Sequence, residues 1–134
     1  MIAAGFGCRA GCSAADVRRA LELALAAGDV SASEVLALYS ADFKVTDLGL
    51  RRAAAELGRP LFFLPRSTLA ASAAGVRTHS AQVAGRFQLP SVAETAALAG
   101  ALALADGRGA ARLLGARQIA GGAACALARA EPGT

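Results

Sequence analysis

Residues 5 to 16 read GFGCRAGCSAAD, which sets three glycines, two cysteines, an arginine and a Ser-x-x-Asp pair on one short stretch. Each residue type suggests its own chemistry. Glycine-rich turns expose backbone N–H groups to phosphates, paired cysteines hold metals or shuttle electrons, and an arginine grips a carboxylate with two parallel hydrogen bonds. Spacing discriminates among them.

A dinucleotide fingerprint needs G-x-G-x-x-G, but Gly5, Gly7 and Gly11 run G-x-G-x-x-x-G. Its ribose-binding acid should follow about 20 residues later, whereas Asp42 comes 31 residues after Gly11. No Gly-Lys-Ser/Thr follows the glycines, which excludes a Walker-type loop. Cys8 and Cys12 stand as C-x-x-x-C, with Cys125 and His79 isolated in sequence, so the close-spaced ligand pairs of structural zinc are missing. The C-x-x-C of a thioredoxin-like centre is missing too. The three cysteines therefore read as free thiols incidental to the chemistry, with no metal and no cofactor expected.

Two readings of the stretch remain. One is an anion site built from the backbone of Gly7 to Gly11, Cys8, the Arg9 guanidinium, and Ser13 at the start of a helix. The other is a tight strand-to-helix turn with Arg9 in solvent. Lys44 is the one lysine among fourteen basic residues, and it could reach the same place from a neighbouring loop. His79 beside Ser80, Asp47, and Glu94 are the candidate acids and bases for a hydrolytic reaction. Each has a plainer role: His79 in a loop whose Ser80 caps a helix, Asp47 as a helix cap, and Glu94 in a capping box with Ser91.

The elements that would position these residues follow from hydrophobic periodicity. IAAGF (2–6) predicts a buried strand, and Ser13 with Asp16 starts a helix that stops near Gly28. EVLALYS (34–40) predicts a second strand, residues 46–58 a helix capped by Thr46 or Asp47 and ended by Gly58, and RPLFFLP (59–65) a third strand. STLAAS could form a helical turn, and HSAQVAGRF a short helix or an irregular segment. Ser91 and Glu94 open an amphipathic helix, and DGRG (106–109) makes a turn. ARLLGARQIA and AACALARAE, separated by Gly121 and Gly122, form an antiparallel hairpin.

This order implies one α/β domain over residues 1–134, a three-layer α/β/α sandwich. Its mixed, mostly parallel sheet would have about five strands and a C-terminal hairpin. Ligands of such sheets bind beyond the carboxyl ends of the parallel strands, where the opening loop, the 40–47 loop and the segment after 64 meet.

Composition narrows the partners. At 55% hydrophobic and 18% charged, the chain is globular. It lacks the roughly 18 consecutive apolar residues of a membrane span, and it starts without a signal-peptide pattern, which points to the cytoplasm. A net charge of +4 without a Lys/Arg-rich run or any Trp gives nucleic acid no patch and suits a small acidic ligand.

Taken together, GFGCRAGCSAAD, ALYSADFKVTDLGLRRAAAELGRPLFFLP, LPSVAETAALAG and LLGARQIAGGAACALAR resemble, in order and over nearly the whole chain, the family of CobE and the C-terminal domain of CbiG. The resemblance implies an α/β fold and a role in building the corrin ring of cobalamin. It also implies a tetrapyrrole (precorrin or corrinoid) intermediate as ligand, with other enzymes of the pathway as partners. In the anaerobic pathway CbiG is a hydrolase of cobalt-precorrin-5A that opens a lactone and releases acetaldehyde. This chain is similar only to the C-terminal portion, and hence to the stand-alone CobE of the aerobic route. The resemblance leads one to expect Lys-x-Asp/Glu-Glu-x-Gly-Leu in the middle motif, where this chain has KVTDLGL. Thr46 and Asp47 occupy the acidic positions, which weakens a paired-acid mechanism there.

Overall fold

The computed structural model describes residues 1–44, 47–72, 91–107 and 109–131. Strand β1, Ile2–Cys8, alternates its side chains between two apolar layers. Ile2, Ala4, Phe6 and Cys8 face one layer and Ala3 the other. Helix α1, Ala14–Gly28, begins where the Ser13 hydroxyl accepts the Asp16 N–H at 3.0 Å, and ends on Asp29 in the left-handed region.

After a short 3-10 turn at Ala32–Glu34, strand β2, Val35–Ala41, runs parallel to β1. A second 3-10 turn, Asp42–Lys44, leads towards helix α2, Leu48–Leu57. Asp47 caps α2 by accepting the Leu50 N–H at 3.1 Å, and Gly58 closes it at φ +66°, a conformation that costs glycine little. Strand β3, Leu61–Leu64, extends the parallel set, and helix α3, Arg66–Ala71, takes up the expected helical turn. The HSAQVAGRF segment lies outside the described residues.

Helix α4, Val92–Leu104, starts with the Ser91 hydroxyl accepting the Glu94 N–H at 3.4 Å. The chain then returns through β4, Ala110–Leu113, β5, Gln118–Ala120, and β6, Ala123–Glu131. Both β4 and β5 pair with β6, so they are two halves of one hairpin arm interrupted between 113 and 118. The Leu114 N–H still donates to the Leu127 carbonyl at 2.9 Å, which keeps the arm in register.

The described residues form a mixed α/β sheet of six strands in the order β3-β2-β1-β6-β4, with β5 also on β6. Among the described residues, parallel pairing joins β1–β3, and the hairpin supplies the antiparallel strands. Helices α1 and α2 cover one face, α3 and α4 the other.

One expectation is corrected. Helix α4 is not amphipathic: every residue from Ser91 to Ala101 is buried. The reason is close packing through glycine. A Cβ on Gly5 of β1 would run into the α4 backbone at Ala93 and Ala97, and one on Gly100 would run into the Tyr39 ring. An alanine-rich helix seated this deeply has no wet face to mark with polar residues.

Candidate functional site

The carboxyl ends of β1 and β2 and the N-termini of α1 and α2 lie at the same edge of the sheet, so the positive ends of two helix dipoles face one region. The β1–α1 loop reverses through Gly11, at φ +78°, a conformation that L side chains rarely adopt. The Arg9 N–H donates to the Gly122 carbonyl at 2.8 Å, and the Cys12 N–H to the Arg9 carbonyl at 3.0 Å. Two loop amides are therefore spent on structure. The Asp16 carboxylate in turn accepts the Gly122 N–H at 3.2 Å, which ties the hairpin turn to the start of α1.

The tight reversal brings Cys8 and Cys12 together. Their Cα atoms are 6.0 Å apart and their sulfurs are bonded as a disulfide. The free-thiol reading is thus corrected for these two, because a four-residue step around Gly11 returns the chain on itself. Cys125 remains free, fully buried in β6, and burial pushes its thiol well above the ordinary range. One Asp47 carboxylate oxygen approaches the sulfur pair, with all three potential ligand atoms within 4.8 Å of one another.

Beside this cluster opens a cleft of ≈ 360 Å³ between the β1–α1 loop and the start of α2. Gly11 and Cys12 line one wall, Phe43, Lys44 and Asp47 another, and Leu48 stands at the rim with 75% of its surface exposed. Gly49 lets the walls meet, since a Cβ there would collide with the Cys12 carbonyl oxygen. The Lys44 ammonium lies 5.9 Å from the centroid of the Phe43 ring. It makes no ion pair among the described residues. The cleft therefore offers one cation, a carboxylate and apolar surface.

Sequence-based candidates fall into four groups. Gly11, Lys44 and Asp47 line the cleft, with Cys8 just behind Cys12. Arg9 is exposed on the same loop but outside the lining, Ser13 caps α1, and Gly7 sits within β1 opposite Ala124. Glu94 is fully buried in the first turn of α4, on the other side of the sheet from α1 and α2. His79, Ser80 and Thr46 lie outside the described residues. Phe43, Leu48 and Gly49 were missed from sequence, because nothing local marks an apolar residue as cleft-facing rather than core-facing. The signal that could have found Gly49 was its position in the first turn of α2, where glycine is a poor helix former without a packing reason.

No protein among the curated sequences matches the chain. The family model described as "Cobalamin synthesis G C-terminus" matches residues 2–128. Among solved structures, the chain is similar to CobE, a protein from the cobalamin (vitamin B12) biosynthetic pathway. That match has 40% identity and a TM-score of 0.91, and covers 100% of this chain and 93% of CobE. It is also similar to the cobalamin biosynthesis protein chiG from Agrobacterium tumefaciens str. C58, at 30% identity and TM-score 0.72, covering 98% and 99% of the two chains. A cobalamin biosynthesis protein G homologue from Sulfolobus solfataricus shares the fold at 16% identity and TM-score 0.62, over 97% of this chain and 37% of that one. With nearly every residue inside the matched region and its elements in the same spatial order, the chain belongs to the CobE/CbiG C-terminal family of cobalamin biosynthesis proteins.

Proposed function

We propose that this chain binds a carboxylate-rich precorrin or corrinoid intermediate in the cleft beside the β1–α1 loop. The observation that carries the reading is the joint presence of Lys44, Phe43 and Leu48 on one open cleft. A corrin precursor presents a broad apolar ring edged by acetate and propionate groups. Such a ligand suits apolar surface at the centre with a cation and helix N-termini at the rim. Arg9 stands on the same loop and reaches a peripheral carboxylate when the macrocycle covers the cleft. Membership of a cobalamin biosynthesis family supports the ligand class.

The test is a spectroscopic titration of the protein with a corrin polycarboxylate such as hydrogenobyrinic acid, whose visible bands report binding. Saturable binding that weakens in Lys44→Ala supports the reading, and no spectral change with any pathway intermediate overturns it. A hydrolase of the CbiG type would need acid and base on the cleft. Of the three candidates, Asp47 is there, with one oxygen accepting the cap bond from Leu50. Incubation with a late precorrin and mass spectrometry of the products separates the two: loss of a two-carbon fragment means hydrolysis, and unchanged mass after complete binding means carriage. Unchanged mass together with a co-purifying pathway enzyme would instead mark an interaction subunit.

A further inference from the structure

We propose that Cys8, Cys12 and Asp47, once the cysteine pair is reduced, form a three-ligand site for a thiophilic divalent cation of the Zn²⁺ or Co²⁺ class. Two sulfurs and a carboxylate oxygen lie within 4.8 Å of one another, a spread that one ion can span. The cysteines are 6% and 9% exposed, so a thiolate pair there is shielded from competing water. Asp47 is held in place by its cap, in which one carboxylate oxygen accepts the Leu50 N–H. Two thiolates and a carboxylate carry one negative charge more than a divalent ion neutralises. The N-termini of α1 and α2 and the Lys44 ammonium on the same cleft offset it.

Thiolate and carboxylate together select a borderline-soft ion over Mg²⁺ or Ca²⁺, which prefer all-oxygen shells. Cys12 and Asp47 both line the cleft, so a fourth coordination position opens into it, as in zinc sites that keep one place for water or substrate.

The site exists in one redox state only. As a disulfide the sulfurs are bonded to each other and carry no thiolate. Reduction by a phosphine supplies two electrons, water supplies two protons to the sulfurs and its oxygen to the phosphine, and two thiols result. Metal binding then releases those two protons. This inference is independent of the corrinoid reading, and its test uses no corrinoid.

The experiment is an anaerobic Co²⁺ titration of the full chain, reduced with a phosphine that is then removed. The expected result is one equivalent bound, with a thiolate-to-cobalt charge-transfer band in the near ultraviolet and the visible ligand-field bands of a four-coordinate ion. Both should disappear when Zn²⁺ displaces the cobalt. Unreduced protein should lose the charge-transfer band, Cys12→Ser, which leaves one thiolate, should keep at most about half of its intensity, and Cys125→Ala should keep it whole. Asp47→Asn retains a good helix cap, so it should stay folded while binding Co²⁺ at least tenfold more weakly. Absence of the bands from reduced wild type, a charge-transfer band of undiminished intensity in Cys12→Ser, or an unchanged affinity in a folded Asp47→Asn would each overturn the proposal.

Discussion

The carboxylate of Asp16, in the first turn of α1, accepts the N–H of Gly122, which lies 106 positions further along the chain, at 3.2 Å. The same acid stands where a Cβ on Gly121 would otherwise sit, and Gly121 adopts φ +56°. One side chain thus fixes both the entry to α1 and the turn between β5 and β6. Removing it leaves a half-buried turn amide without its acceptor. We expect Asp16→Ala to lower stability by about 1.5–3 kcal/mol, the range for hydrogen bonds to charged groups. Urea unfolding against wild type measures it, and a loss below about 0.5 kcal/mol would contradict the role.

Close approach at the cleft gives a second expectation. Gly49 packs against the Cys12 carbonyl with no room for a Cβ, and neither backbone yields easily. Gly49→Ala should cost about 2 kcal/mol, as overpacked sites do. The neighbouring Leu48→Ala should leave stability within about 0.5 kcal/mol, because that side chain faces solvent. If the cleft binds a macrocycle, Leu48→Ala should still weaken binding in the spectroscopic titration.

Lys44 and Arg9 should differ. Lys44 lines the cleft and Arg9 does not. Loss of a charge-assisted contact worth about 1.5–3 kcal/mol corresponds to a tenfold or greater drop in affinity. That drop is expected for Lys44→Ala, with a smaller one for Arg9→Ala. Equal effects would move the ligand outward over the β1–α1 loop.

Thiol counting checks the cysteine pairing. Unreduced protein unfolded in denaturant should expose one alkylatable thiol, Cys125, and reduced protein three. The folded, unreduced chain should react at none of them, since Cys125 is fully buried and its thiol is held protonated. Three thiols without reductant would remove the Cys8–Cys12 bond.

Acid should loosen the hairpin at its outer end. The Arg112 guanidinium hydrogen-bonds Glu131 and, through that bond and its charge, holds the carboxyl below the usual carboxylate range. A depressed folded pKa means that the stabilisation is complete above the unfolded value of about 4.3 and fades as pH falls through the folded one. Both groups are exposed, so the effect is small and screened by salt. Hydrogen exchange of β4 amides should quicken as pH falls below about 4 relative to Glu131→Gln, after correction for intrinsic rates. Identical profiles in the two proteins would exclude the link.

Local signals made most of the elements legible. Ser13, Asp47 and Ser91 are real helix caps, because a cap depends only on residues three apart. Gly58 stops its helix, and the paired glycines at 121 and 122 turn the hairpin, each by freedom at one backbone position. The α/β order and the gathering of loops beyond β1 and β2 followed from these elements by general rules of sheet topology.

Tertiary structure decided what no window of sequence holds. Spacing along the chain sets Cys8 and Cys12 apart from the close ligand pairs of zinc, whereas the approach of Asp47 to both sulfurs depends on a separate loop that only the fold brings near. The all-round burial of α4 up to Ala101 could not be read from periodicity, because it depends on Gly5 in a distant strand. Where Arg9 stands relative to the cleft is also a matter of packing: it is exposed on the β1–α1 loop, outside the lining. Helix caps, turns and strand patterns are short-range, so the sequence determined them by itself. Which side chains share a cleft depends on contacts between segments far apart in the chain, and only packing selects those.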